Sequence, residues 1–138
     1  MSKMLFVLLV LIAAAIYWRI LDSRQGQPLA AERHSDTVRF VIDGDTLILS
    51  RQERRIRLWG VDAPEEGEKG YHEARNRLAA ISEGQRISYQ QEDIDRYGRI
   101  VARVFLRDGR EINRMMIESG TAHEYRRYSK GFYSWATD

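Results

Sequence analysis

Val38-Arg39-Phe40-Val41-Ile42 and Thr46-Leu47-Ile48-Leu49 are two apolar, β-branched runs that bracket Asp43-Gly44-Asp45. Such runs read as strands, and Asp-Gly between them is a hairpin signal. Ile56 to Trp59 reads as a third strand. Side chains alternate across a strand, so Ile56 and Leu58 share one face while Arg55 and Arg57 take the other. The Arg57 head is therefore available to a surface cleft.

Further along, Tyr71, Ala74, Leu78 and Ile81 recur at helical spacing, and Gly84 ends the pattern. Gln85 to Gln90 reads as a fourth strand. Ile100 to Leu106 reads as a fifth, nearly continuously apolar apart from Arg103. Asp108-Gly109 makes a turn, and Ile112, Met115 and Met116 mark a short helix that stops at Gly120, with both methionines as core filler. This order predicts an α+β domain: a five-stranded β-barrel of the OB type with packed helices, whose closure removes exposed edges.

The chain has 138 residues and no cysteine, which excludes a disulfide framework and a thiolate zinc site. His34, His72 and His123 lack ligand spacing. The formal charge is +2, yet residues 36–138 hold 18 basic and 18 acidic side chains. The excess lies in the first 35 residues, so net charge does not identify a nucleic-acid binder. Lys3, Lys69 and Lys130 are the only lysines; the remaining cations are arginines, which favour forked phosphate contacts.

Met4 to Trp18 is an unbroken apolar or aromatic run after Lys3, and predicts an N-terminal hydrophobic helix ahead of the barrel. It is short for a spanning helix, which needs about 20 residues. Ala13-Ala14-Ala15 offers small residues to a signal peptidase, while Ile16 to Trp18 and Ile20-Leu21 extend the apolar character. Residues 1–21 are thus a signal peptide or a signal-anchor helix. Residues 22–35 turn polar around Gly26 and Pro28 and read as a linker, leaving residues 36–138 as the globular domain.

Asp45 and Asp62 each sit at a turn beside a β-rich run, with Arg57 before the second and Glu65 just after it. Asp95-Arg96-Tyr97-Gly98-Arg99 adds another arginine ahead of a strand. Phosphodiester hydrolysis builds negative charge on the phosphate oxygens, and fixed guanidinium groups stabilise it. Two carboxylates and a backbone carbonyl leave open positions on a hard cation for water and phosphate. Glu65 is placed to deprotonate or to orient the attacking water.

Taken together, Val41 to Thr46, Arg57 to Glu65, Asp95 to Arg99 and Gly109 through Ala122 resemble the staphylococcal nuclease family over most of residues 36–128. The resemblance implies an OB-type barrel with helices and Ca²⁺-dependent hydrolysis of DNA and RNA with one ion. By motif position, Asp45 and Asp62 resemble the metal carboxylates, and Ala63 takes the position that offers its backbone carbonyl. Threonine is common there, and the carbonyl survives the change. Arg57, Glu65 and Arg99 resemble the catalytic trio. Asp43 resembles a carboxylate that supports the ligands without touching the metal. Tyr97 matches a tyrosine near the bound phosphate, and Tyr125 and Tyr128 lie near nucleotide-stacking tyrosines, which suits single-stranded DNA or RNA. The family analogy also implies a domain outside the cytoplasm, secreted or membrane-anchored through the leader. No protein partner is expected.

Two features qualify the resemblance. Family members usually continue into a long helix that covers the barrel, whereas here Gly131 to Trp135 leads almost directly to the C-terminus. Either the tail substitutes for that helix, another chain does, or the domain is marginal. The rival function is a non-catalytic OB module that binds nucleic acid or protein; against it, all five acidic and arginine side chains of the motif are retained.

Overall fold

The computed structural model describes residues 3–25 and 32–134. Two compact units are present, Met1–Ala31 and Glu32–Asp138, and each is described by itself. The first contains helix α1, Lys3–Gln25, of 23 residues. It runs past the apolar stretch, and its last two turns carry Arg19, Asp22, Arg24 and Gln25. Among the described residues no helix is long and apolar enough to cross a membrane. Gly26 and Pro28, read as linker, and Trp135 in the tail lie outside the described residues.

The second unit is the barrel that the strand pattern predicts. Strands β1 (Arg33–Asp43), β2 (Thr46–Leu49), β3 (Arg55–Leu58), β5 (Arg86–Ile94) and β6 (Ile100–Phe105) close in the order β1-β2-β3-β6-β5. All neighbours are antiparallel except β3 and β6, which run parallel with Ile56 opposite Ile100 and Leu58 opposite Ala102. β1 closes the barrel because it is long. Its first part pairs with β5 (Thr37 with Arg86, Arg33 with Gln90) and its second part with β2. Register shifts between Val38 and Phe40 and between Val41 and Asp43 bend it between the two partners. Residues 33–35 therefore belong to a strand and not to the linker expected at 22–35. They are polar because their side chains face solvent while their backbone pairs with β5.

Inside lie Val38, Val41, Leu47, Leu49, Ile56, Leu58, Ile87, Ile100, Ala102 and Val104. Helix α2 (Tyr71–Ser82) covers one end through Ala74 and Leu78, and α3 (Ile112–Glu118) packs Ile112 and Met116 on the same core. Met115 is only partly buried, because Asn113 takes the inward position beside Ile112. The Asn113 side chain accepts from the Val104 amide (2.9 Å) and donates to the carbonyls of Trp59 (2.9 Å) and Ala102 (3.1 Å). Burying an amide is tolerable only when its polar atoms are satisfied. Here one side chain fastens α3 to both β6 and the end of β3.

A small second sheet escaped the sequence pattern: β4 (Val61–Asp62) pairs with β7 (His123–Glu124). Two-residue strands carry no readable period. This pairing brings the C-terminal segment, including helix α4 (Arg126–Ser129), beside the β3–β4 corner. Gly60 is needed at that corner. Its φ is +68°, and a Cβ there would lie 2.9 Å from Ser129 Cβ and 3.1 Å from the Tyr133 ring.

The C-terminal segment packs back on the barrel around Tyr133. Tyr133 is 1% exposed and packs edge-on against Trp59 and Phe132. Its hydroxyl donates to Glu111, which also takes a forked ion pair from Arg103 at 2.9 and 2.8 Å. Burial, and then the Glu111 bond, hold the Tyr133 hydroxyl in its protonated form. Glu124 closes the segment by accepting from the Tyr133 amide (2.8 Å) and from the Ser129 and Ser134 hydroxyls. Burial alone would raise the Glu124 pKa. The Ser129, Ser134 and Tyr133 bonds, with Arg126 nearby, outweigh it and hold the carboxyl below its usual value.

Two expectations follow for the tail. Tyr133→Ala costs about 3–5 kcal/mol in urea unfolding, whereas Tyr133→Phe, which loses only a hydrogen bond, costs about 1 kcal/mol. Equal costs for both would refute the packing account. For Glu124 the folded pKa is depressed, so its contribution is complete above the unfolded value of about 4.5 and is lost as pH falls through the folded value. The stability gap between wild type and Glu124→Gln should shrink on going from pH 7 to about pH 3. A gap that stays constant would mean the charge plays no part.

Candidate active site

The hairpin of β1 and β2 sets Asp45 at the start of β2, and β3 pairs with it so that Thr46 faces Arg57. Asp45 is 4% exposed. Its neighbourhood is tight because Gly44 has no side chain: a Cβ there would fall 2.6 Å from Ala74 Cβ and 2.7 Å from Ala63 Cβ. The Asp43 carboxylate accepts the Asp45 amide at 3.1 Å, which shapes the turn and sets a second carboxylate beside Asp45. Around the Asp45 carboxylate stand Thr46 Oγ1 at 3.1 Å, the Ala63 amide at 3.2 Å and Arg57 Nη2 at 3.2 Å.

Arg57 is held from several sides. Nη1 donates to the carbonyls of Leu58 (2.9 Å) and Val61 (2.6 Å), while Nη2 faces Asp45. Its Nε–H is uncommitted among the described residues. Burial pushes the Asp45 carboxyl up to about 7; Arg57 pulls it down, and Asp43 adds to the rise. Burial disfavours the charged form of this carboxylate, a cost that a neighbouring positive charge relieves.

Arg99 sits at the base of the β5–β6 hairpin. Asp95 organises that turn: its carboxylate accepts from the amides of Tyr97 (2.9 Å) and Arg99 (3.0 Å) and from Arg99 Nε (2.6 Å). Burial would raise the Asp95 pKa, but the Arg99 and Tyr97 bonds outweigh it and leave it below the usual carboxylate range. With Nε engaged, both Nη groups of Arg99 remain for a ligand. The Tyr97 ring lies under two guanidinium groups, 4.9 Å from Arg96 and 5.4 Å from Arg99.

One cleft of about 710 Å³ gathers Arg57, Arg99, Tyr97, Tyr125 and Tyr128. Tyr97 and Tyr128 are 68% and 57% exposed, and Tyr125 meets Tyr128 edge-on at 5.0 Å. Five of the ten residues singled out in the sequence thus share this cleft. Asp45 and Ala63 form the buried cluster that meets it at Arg57, and Asp43 stands behind them. Asp62, on β4, and Glu65, in the loop after it, are exposed. Among the described residues, neither side chain makes a hydrogen bond or ion pair. The Glu65 amide is fixed by the Glu68 carboxylate at 2.8 Å. No group of three or more His, Cys, Asp or Glu arranged to hold a metal ion is found among the described residues.

Sequence reasoning missed the groups that position the arginines. Asp95 had a legible signal, an acid four residues before Arg99 in a Gly-containing turn. The Leu58 and Val61 carbonyls had none, since every residue carries one.

The model of the staphylococcal nuclease homologues matches residues 55–135. A micrococcal nuclease of Shigella flexneri is 34% identical over 113 residues, covering 75% of this chain and 64% of that protein. An uncharacterized endonuclease of Escherichia coli is 35% identical over 103 residues, 73% of this chain and 67% of its own. A thermonuclease of Staphylococcus intermedius is 37% identical over 81 residues, 51% of this chain and 48% of its own. The chain therefore spans a little under two thirds of the Shigella relative. The matched region runs from β3 to the end of the described chain, covers more than half of the sequence and contains both Arg57 and Arg99, so this chain belongs to the staphylococcal nuclease family.

Proposed function

We propose that this protein is a metal-dependent nuclease that hydrolyses phosphodiester bonds of DNA and RNA, with one Ca²⁺ as its cation. The observation that carries this reading is the immobilised Arg57, tied to two carbonyls and to the buried Asp45 carboxylate while lining the same cleft as Arg99. Guanidinium groups fixed before substrate arrives stabilise developing charge without paying for reorganisation. The names of the Shigella and Staphylococcus relatives support the same chemistry.

The donors suit a hard divalent cation, since Asp45, Asp62 and the Ala63 carbonyl offer only oxygen. Asp45 has acceptor capacity left after its three protein contacts, and its raised pKa is relieved by a neighbouring positive charge. When bound, the cation polarises the phosphate and offsets its charge. In this reading Arg57 and Arg99 grip the non-bridging oxygens. Glu65 accepts the proton of the attacking water, or fixes that water by accepting its hydrogen bond. The water oxygen bonds to phosphorus, one ester P–O bond breaks, and the leaving alkoxide takes up a proton.

Tyr97, Tyr125 and Tyr128 serve the substrate: the exposed Tyr97 and Tyr128 rings stack on unpaired bases, with the half-buried Tyr125 edge-on beside Tyr128. We assign the leader to export, which sets the domain outside the cytoplasm whether residues 1–21 are removed or retained.

Purified protein should cut single-stranded DNA with Ca²⁺ and not with chelator. Arg57→Lys should lower kcat about a hundredfold or more, and Glu65→Gln by a similar factor. Cleavage that ignores the chelator and both substitutions would end this reading. For localisation, fractionated cells should release the folded domain with the envelope or medium; recovery of all of it in the cytoplasm would overturn the export assignment.

A further inference from the structure

The cleft holds more positive charge than cutting one phosphate needs. Arg57, Arg96, Arg99 and Arg127 all line it. Arg57 is committed to Asp45 and two carbonyls, and Arg99 to Asp95. Arg96 donates to the Tyr97 hydroxyl at 2.8 Å and covers its ring. Arg127, on α4, is exposed and makes no ion pair, hydrogen bond or ring contact among the described residues. Its neighbour Arg126 differs: it lies 3.8 Å from Glu124, its side chain is 75% exposed, and it does not line the cleft.

Size and charge pattern point the same way. About 710 Å³ is a volume suited to a ligand larger than a single phosphodiester group. The cleft is also uneven in charge. β5 contributes Glu92 and Asp93, which repel a phosphate, whereas α4 contributes Arg127 between Tyr125 and Tyr128. Beyond the catalytic arginines, a polyanion in this cleft is favoured on the side of α4, which adds the uncommitted Arg127, over that of β5, which adds Glu92 and Asp93. The tyrosines flanking Arg127 offer rings to bases, while Arg127 offers its charge to the backbone joining them.

We propose that Arg127 binds a second phosphate of the substrate, neighbouring along the strand the one held by Arg57 and Arg99. The ligand that fills the cleft is then a single-stranded polynucleotide of several units, and an isolated phosphodiester uses only part of it. This deepens the nuclease reading and rests on it for the role of the other arginines, but the binding step is measurable without cleavage.

The test is fluorescence anisotropy of an oligothymidylate of about eight nucleotides, a length within the usual single-strand site size, in chelator and across a salt series. Each phosphate contact on a single strand contributes about 0.7 to the slope of log affinity against log salt. Arg127→Ala should make the slope shallower by about 0.7 and weaken binding about fivefold at 0.1 M salt. Arg127→Lys should keep the slope, and Arg126→Ala, an equal loss of charge next door, should match wild type. In turnover with Ca²⁺, Arg127→Ala should raise KM for the oligonucleotide with kcat unchanged. Both constants should stay unchanged for thymidine 5′-(p-nitrophenyl phosphate), which carries one phosphate.

If Arg126→Ala and Arg127→Ala change the slope equally, the effect is general charge and the proposal falls. It falls also if wild type does not bind the oligonucleotide, or if Arg127→Ala binds as wild type does. A slope loss specific to Arg127 in a protein that never cleaves would uphold the phosphate contact and sink the nuclease reading instead.

Discussion

The contact between Arg57 and Asp45 is the constraint on which the site depends. Two opposite charges at 3.2 Å, with side chains 17% and 6% exposed, gain attraction in a medium of low polarity but lose much hydration. The raised Asp45 pKa says that the loss is felt. The pair is held by what surrounds it more than by its own attraction. The β2–β3 register sets Thr46 opposite Arg57, and the Leu58 amide donates to the Asp45 carbonyl at 2.8 Å. A slip of one residue would turn Arg57 into the barrel and Ile56 out of it, exposing core surface and burying an unpaired cation. The hydrophobic pattern of β3 therefore protects the position of the arginine. Gly44 adds a second restraint by letting α2 and the Ala63 segment close over the turn with no room to shift.

The same economy shapes the last described segment. Here the aromatic rings of Trp59, Phe132 and Tyr133 stack at one corner, and Arg103 lies 4.6 Å over the Phe132 ring. The carboxylates Glu111 and Glu124 then satisfy the polar atoms that this packing brings inside. Because β7 and α4 are part of this arrangement, the segment that completes the fold also supplies one wall of the cleft. The core and the cleft wall are coupled through Gly60, whose carbonyl accepts the Tyr125 amide at 2.8 Å and where a Cβ would meet Ser129 and Tyr133.

Legibility in the sequence followed the length and period of each element. β2, β3, β6 and α2 could be read because their apolar positions repeat over several residues, and Ile56, Leu58, Ala74 and Leu78 are buried as that period requires. The start of β1 was missed because Arg33 to Ser35 contribute backbone and no core side chain. β4, β7 and α4 are too short to show a period. For the site, Asp45, Arg57 and Arg99 could be singled out by residue type and spacing. Asn113, Glu111 and Glu124 could not, since an isolated polar residue looks the same in a sequence whether it fastens three elements or faces water.

By itself, the amino-acid sequence determined which residues face inward along each strand, where the turns fall, and which arginines and carboxylates stand at or beside those turns. These follow from local geometry, where side-chain direction is fixed by position within a strand or helix. Only the tertiary structure decided that Arg57 and Arg99 border one cleft. They are far apart along the chain, and are joined because β3 and β6 run parallel with Arg57 opposite Val101, two residues beyond Arg99. It also decided that Tyr125, Arg127 and Tyr128 complete that cleft, through a two-residue strand pairing and a buried ring. Such neighbours depend on how the barrel closes and on the register of non-local pairs, which are set by the simultaneous packing of the whole core and are not encoded in any one stretch of the chain.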